Sequence, residues 1–487
     1  MADHQENHAA AGKASGLIRW INARTGLHDL LHHALDEPIP GGAKLAYVFG
    51  SGLIFLFISQ IVTGVFLAMY YVPSADHAHT TVAYMVKEVN AGAFLRSVHA
   101  YGSSAIIVVL MLHLIQTFFF GSYKGRRELL WVAGCVLLAL MVGMAFTGYL
   151  LPWDQKAYFA TTVGTNILSE VPLIGNAIKR LLRGGTEMGT LTLSRFFVLH
   201  VFLVPAAIFA FLALHIYLFR KAGAAGPVDE DPISPKQPTE SFYPKQLIMD
   251  MGFALLILVV MGLLAHYVPV ELGPKADASD TQYVPRPEWY YLPVFQYLKY
   301  WHGSSAVVGI LVVPALLAVL LVGLPFFDRD LERRPWKRPV SIGMFSAVFL
   351  ALGVLGYMSS HQDLRDPGIA AQIRRQHQEV EQFMRTPFEP ETAGATLAAT
   401  NVALVNPEAA AGKAIFEQQA CNSCHGDNGT GTTVGPKLVG IGAKYDAQRL
   451  SALLKHPTPA MESGGMTKVE VKEDELQKLT AYMLSLK

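Results

Sequence analysis

Charge is scarce in this sequence. Asp, Glu, Lys and Arg together make 16% of its 487 residues, against about 25% in ordinary soluble chains. A disordered or collagen-like chain is thereby excluded. The few charges nearly cancel, to a formal net charge of +1, so no field exists to hold a polyanion and no nucleic-acid partner is expected. Three cysteines are too few for a disulfide scaffold. The first forty residues are polar, with Asp3, Glu6, Asp29, Asp36 and Glu37, and no cleavable signal peptide is expected in them.

Apolar residues are what is there. They reach 52% before glycine is counted, and they gather into seven long uncharged blocks. These run from about Leu45 to Tyr71, Ser97 to Phe120, Leu129 to Leu151, Phe196 to Phe219, Met251 to Val268, Gly303 to Phe327 and Val340 to Met358. Each is long enough to cross about 30 Å of hydrocarbon as a helix. The expected fold is therefore all-α: a seven-helix membrane bundle followed by a small soluble helical domain. Five segments are expected: residues 1–44 as an N-terminal segment, 45–225 and 226–358 as membrane domains, 359–407 as a linker and 408–487 as the closing domain. Within the linker, Asp366 to Arg385 reads as a polar, helix-capable stretch and Thr386 to Pro407 as Ala/Thr/Pro/Glu-rich tether.

Basic residues set the expected orientation. Lys124, Arg126 and Arg127 follow the second block, and Arg329, Arg333, Arg334, Lys337 and Arg338 follow the sixth. Both loops should face the cytoplasm. The N-terminus then lies on that side, and seven crossings deliver the closing domain to the positive, periplasmic side of a bacterial inner membrane.

Four histidines interrupt the uncharged blocks. His99 and His113 are fourteen residues apart in the second, and His200 and His215 fifteen apart in the fourth. Both intervals return to roughly the same helix face after about 21–22 Å of rise. With the helices running in opposite directions, His99 and His200 share the outer depth, and His113 and His215 the inner one. Single intramembrane histidines usually satisfy packing; four at matched depths point to function. Two imidazoles on one iron make a saturated haem suited to electron transfer. Gly50 and Gly64 in the first block, and Gly134 and Gly148 in the third, repeat the fourteen-residue interval. Lacking Cβ, they would let flanking helices approach flat porphyrins.

In the closing domain Cys421-Asn422-Ser423-Cys424-His425 has the spacing for covalent c-type haem attachment, with two thioethers and an adjacent axial His425. A thioether is the expected second ligand; Met466, ahead of the closing helix, resembles the methionine ligand of small class I cytochromes c, and Met461 is the alternative. Cys135, alone in the third block, reads as packing. The histidines outside the matched depths, including His28, His32 and His33, read as surface or interfacial.

These residues resemble the cytochrome b family of bc1 and b6f complexes, over about Gly16 to Met358. Arg96, three residues before His99, matches the arginine preceding the first haem ligand. Gly148-Tyr149-Leu150-Leu151-Pro152-Trp153-Asp154-Gln155 and Phe219-Arg220-Lys221-Ala222-Gly223 resemble the b6 version of the fold, and Pro287-Glu288-Trp289-Tyr290 resembles the quinol-oxidation signature. Gly435-Pro436-Lys437-Leu438 is similar to an element of small class I cytochromes c. The resemblance implies two non-covalent bis-histidine b haems, one covalent His/Met c haem, and quinol and quinone as substrates.

It implies that Glu288 accepts a proton from quinol with Tyr149 lining the pocket, and that Asp250, with Arg220 nearby, serves quinone reduction on the cytoplasmic side. One electron would pass through a Rieske iron–sulfur partner to the chain's own c haem, the other through the outer and inner b haems, translocating charge. The resemblance further implies a homodimer inside a larger quinol:cytochrome c oxidoreductase that delivers electrons to a soluble or membrane-bound cytochrome c or another acceptor. Rival readings are a non-bifurcating electron conduit that anchors an external redox enzyme, or a membrane scaffold with a haem sensor tail. Two positions depart from the family. Val48 stands where b6 tethers an extra haem, which is expected to be absent. Gln116 stands where an arginine usually meets the inner haem's propionates, so that haem should be harder to reduce unless another cation replaces it.

Overall fold

The computed structural model describes residues 16–226, 228, 239–280, 282–388, 407–426, 429–431, 435–458, 461–462 and 466–486. It divides into two compact units, one ending at Phe388 and the other beginning at Glu389.

In the first unit two short helices, α1 (Gly16–Thr25) and α2 (Leu27–Leu35), precede the bundle. His28 and His32 lie partly exposed on α2; the side chain of His33 falls outside the described residues. Among the described residues, seven helices are long and apolar enough to span a membrane. Five of them are α3 (Val48–Ala68, entered through a 3-10 turn at Leu45–Tyr47), α5 (Gly92–Phe119), α6 (Glu128–Tyr149), α9 (Thr190–Ala222) and α10 (Lys245–Tyr267); α12 (Gly303–Phe327) and α13 (Pro339–Arg365) complete the set. They overlap the seven expected blocks, with ends that differ by up to seven residues because a helix can extend its polar ends beyond the hydrocarbon. Between them lie α4 (Ala78–Lys87), α7 (Gln155–Ser169), α8 (Gly175–Arg183) and α11 (Leu292–Leu298). The helix pairs α3–α5, α6–α9 and α5–α10 pack together, with α12 against α6.

Two of these spans carry π turns, at Leu199–Leu203 and Val308–Val312. A proline stands two residues after each, Pro205 and Pro314. Proline has no N–H to return to the turn before it, so the ladder widens there. The first π turn contains His200.

The first part of the expected linker, residues 359–385, is largely helical. Helix α13 runs on to Arg365, and α14 (Pro367–Arg385), capped by Asp366 onto Gly368 and Ile369, belongs to the first unit. Lys87 donates to the carbonyls of Phe383 and Thr386 at its C-terminal end. Residues 389–406 lie outside the described residues.

The second unit comprises α15 (Pro407–Gln418), α16 (Cys421–His425), α17 (Ala447–Lys455) and α18 (Glu473–Ser485). Its core is Phe416, Leu450, Leu454, Leu476, Leu479 and Tyr482. Gly412 is needed where α15 crosses α18, since a methyl group there would lie 2.0 Å from the Lys478 carbonyl.

Candidate functional site

The four intramembrane histidines meet in the two pairs their spacing predicts. His99 and His200 face each other with ring centres 6.3 Å apart, nearly perpendicular. Two metal–nitrogen bonds of about 2 Å each, plus the ring radii, fill that distance, so the separation suits one metal ion between the two rings. The other ring nitrogens are engaged. His200 Nδ1 lies 3.1 Å from the Met144 carbonyl, which can only accept, so Nδ1 carries the proton and Nε2 keeps its lone pair. His99 Nδ1 lies 2.9 Å from the Thr63 hydroxyl, whose own proton goes to the Ser59 carbonyl at 2.8 Å.

Each glycine of the two repeats faces one histidine. The imidazole beside Gly64 is that of His99, beside Gly148 that of His200, beside Gly50 that of His113 and beside Gly134 that of His215. Gly64 and Gly148 therefore belong to the outer pair, Gly50 and Gly134 to the inner one. Among the described residues no three His, Cys, Asp or Glu side chains converge as a free ion would need. Two imidazoles would leave the other positions of an iron to ligands from outside the chain, as a porphyrin would provide. The donors present fit a haem.

A cavity of about 650 Å³ opens on His113 and His215 and is lined by Gly50, Gly134 and Asp250, a volume in the range of cofactor sites. Asp250 is buried and accepts from Ser51 Oγ at 2.6 Å and Gln246 Nε2 at 2.8 Å. Arg220, ion-paired with Glu37, lines the same cavity. So do Gln116 and Arg127. Two guanidinium groups thus stand in the cavity where Gln116 offers none. Val48 is buried against its neighbours.

Glu288 opens the short turn Trp289–Tyr291 ahead of α11. Its carboxylate accepts from Lys156 Nζ at 2.7 Å, and that ammonium lies 5.8 Å from the Tyr149 ring centre. Glu288 and Tyr149 are therefore brought together on either side of one cation. The Tyr149 hydroxyl is buried with no hydrogen-bond partner among the described residues. Burial, and then the nearby Glu288 carboxylate, raise the Tyr290 phenol above its usual range. Tyr291 donates to the Val142 carbonyl at 2.8 Å, tying the turn to α6. Arg286 and Lys299 both pair with Asp363, at 3.3 and 3.2 Å, which fixes the turn to the end of α13. Arg96 donates to the carbonyls of Val270 and Glu271, at 2.8 and 3.2 Å.

Sequence reasoning gave Lys156 and Asp363 no role in the site. Lys156 follows Pro152-Trp153-Asp154-Gln155 directly, and that adjacency was its signal. Asp363 fell inside the expected linker; its signal was a lone acid in the last turns of an otherwise apolar helix.

In the second unit His425 Nδ1 is 2.7 Å from the Pro436 carbonyl, which again leaves Nε2 as the lone-pair nitrogen. Cys421 and Cys424 are not joined in a disulfide. Met466 packs against the core cluster that Cys421 also touches, and Met461 does not contribute to it; Gly464 and Gly465 lie outside the described residues. Cys135 is buried among Phe118, Tyr123 and Trp131, a packing position.

Comparison with known proteins agrees with this division. Three family models match: "Cytochrome b/b6/petB" over residues 34–223, "Cytochrome b(C-terminal)/b6/petD" over 275–374 and "Cytochrome c" over 409–487. Cytochrome b of Rickettsia bellii is 35% identical over 359 residues, covering 71% of this chain and 87% of that one. The menaquinol:cytochrome c reductase cytochrome b subunit of Geobacillus thermodenitrificans is 42% identical over 220 residues, 44% of this chain and 98% of that protein. The chain spans 50% of the length of cytochrome b/c1 from Bradyrhizobium diazoefficiens, to which it is 35% identical over 353 residues, 70% of its own length. Among solved structures, a chain of a hyperthermophilic respiratory Complex III superposes with a TM-score of 0.64 at 25% identity, covering 76% of this chain and 98% of that one.

Proposed function

The chain belongs to the cytochrome b family and carries a cytochrome c domain after it, and on that premise we propose that it is the cytochrome b/c subunit of a proton-translocating quinol:cytochrome c oxidoreductase. It is an integral membrane protein with seven candidate spans, and the family and domain matches imply haem cofactors. One observation carries the finer reading: each histidine pair has its own carboxylate site. Tyr149, next in the chain to the Gly148 that faces His200, shares the Lys156 cation with Glu288, and Asp250 shares the cavity of His113 and His215.

In this reading His99 with His200, and His113 with His215, hold two b haems, while Cys421, Cys424, His425 and Met466 hold a c haem. When bound, these groups supply one-electron transfer between quinol and quinone and, through a Rieske iron–sulfur partner, to the terminal domain. The protein's own side chains handle the protons. Glu288 takes the proton of a quinol hydroxyl, since a general base needs only hydrogen-bond reach. Lys156 holds that carboxylate in place, and the unpartnered Tyr149 hydroxyl offers the quinol a hydrogen bond. Asp250, steadied by Ser51 and Gln246, delivers a proton to a quinone oxygen in the inner cavity. Protons leave on the positive side of a bacterial inner membrane and enter from the cytoplasm, with the terminal domain outside. The working assembly is a homodimer within a larger complex that passes electrons to a cytochrome c or similar acceptor.

The isolated complex tests this directly. Two b haems, one c haem and the paramagnetic signal of a Rieske centre are expected, with activity stopped by an outer-site quinol inhibitor. Inhibitor-insensitive turnover would favour a non-bifurcating conduit, and absence of b-type haem would leave only a scaffold.

A further inference from the structure

The two histidine pairs differ at one neighbouring residue position. The glycine facing each imidazole is preceded by threonine in the outer pair, Thr63-Gly64 and Thr147-Gly148, and by Phe49 and Ala133 in the inner pair. Thr63 is buried, and its oxygen lies 2.9 Å from His99 Nδ1 while its proton is directed to the Ser59 carbonyl. A metal on Nε2 obliges Nδ1 to carry the hydrogen, so the Thr63 oxygen accepts it. His113 Nδ1, in the inner pair, has no partner among the described residues. Thr147 is placed similarly to Thr63 but acts differently: its hydroxyl donates to the Met144 carbonyl at 3.0 Å, and that carbonyl, at 3.1 Å, is closer to His200 Nδ1 than the 3.4 Å of Thr147 itself.

We infer that Thr63 is a positioning residue that biases the outer haem towards its ferric state by accepting the Nδ1 proton of His99. A hydrogen bond from the far nitrogen raises the basicity of a ligating imidazole, and a more basic ligand stabilises Fe³⁺ over Fe²⁺. The hydroxyl's own donation to Ser59 strengthens the acceptor through the chain of bonds. His113 lacks such a partner, so the bias runs downhill from outer to inner site. The inference rests on reading His99 and His200 as the ligands of one haem.

The test is a redox titration of the two b haems, followed optically in membranes holding the complete complex. At a fixed ambient potential, Thr63→Val should lower the outer haem's ferric-to-ferrous ratio about three- to tenfold, the scale of one hydrogen bond. Thr63→Ser should behave as the parent, and Thr147→Val should move the ratio by no more than about twofold, since the Met144 carbonyl remains. The inner haem should not move in any variant. Should Thr63→Val fail to assemble, Thr63→Ala removes the hydroxyl without adding bulk and must give the same shift. An unmoved outer haem, or a Thr63→Ser shift as large as that of Thr63→Val, overturns the role given to the hydroxyl. A parent complex without two b haems overturns instead the ligand reading beneath it.

Discussion

Gly148 lies so close to His200 that a methyl group on it would sit 2.4 Å from the imidazole Cε1. At Gly50 the corresponding distance, to His113, is 3.8 Å. The first is far inside van der Waals contact and the second is ordinary contact, so the four glycines are not equivalent. Gly148→Ala should cost the outer b haem, read as loss of its share of the reduced-minus-oxidised spectrum, while Gly50→Ala should retain the inner one. Equal retention in both variants would show that His200 can move aside.

Glu288→Gln keeps the size of the side chain and removes its capacity to take a proton. Quinol oxidation should fall by about two orders of magnitude, the lower end of general-base contributions, with all haems still present by spectroscopy. Unchanged turnover would remove Glu288 from the proton path.

In the inner cavity, Asp250→Asn leaves Ser51 and Gln246 able to hydrogen-bond but withdraws the carboxyl. Reoxidation of the reduced inner haem by quinone should slow by about tenfold or more, while its reduction from the outer side proceeds at the parental rate in stopped-flow traces. A parental rate of reoxidation would move the proton donor elsewhere.

Met466→Ala should lower the potential and alter the spectrum of the c haem, because a thioether ligand favours the ferrous state. Met461→Ala should do neither. If only the second variant changes the spectrum, Met461 is the ligand.

His79 gives a pH dependence with a definite sign. Its Nε2 donates to the Gly273 carbonyl at 2.8 Å and its ring packs on Phe383 of α14. Burial holds its pKa below the ordinary 6.5. The folded state therefore binds its proton less readily than an opened one. The stabilisation it provides is complete above about pH 6.5 and fades as the pH falls towards the lowered folded value. Hydrogen exchange in residues 270–276 and at the end of α14 should accelerate below pH 6.5 and become pH-independent, after correction for intrinsic rates, in His79→Gln.

Much of this molecule was legible in the chain itself. The spans are written in charge-free runs because hydrocarbon tolerates little else, and the pairing of His99 with His200 and of His113 with His215 comes from helical repeat and direction. The covalent attachment motif is contiguous, so it too needed no fold. Tertiary structure alone decided the rest. It determined that Thr63 rather than Thr147 takes the imidazole proton, that Lys156 stands between Glu288 and Tyr149, and that Asp363 clamps the turn at Glu288. It also tied the end of α14 to Lys87. These contacts join residues that are far apart in sequence, or turn on a difference of a few tenths of an ångström between rival acceptors. Helix periodicity reports which face a residue occupies; it carries no information about which atom of a neighbouring helix will be nearest.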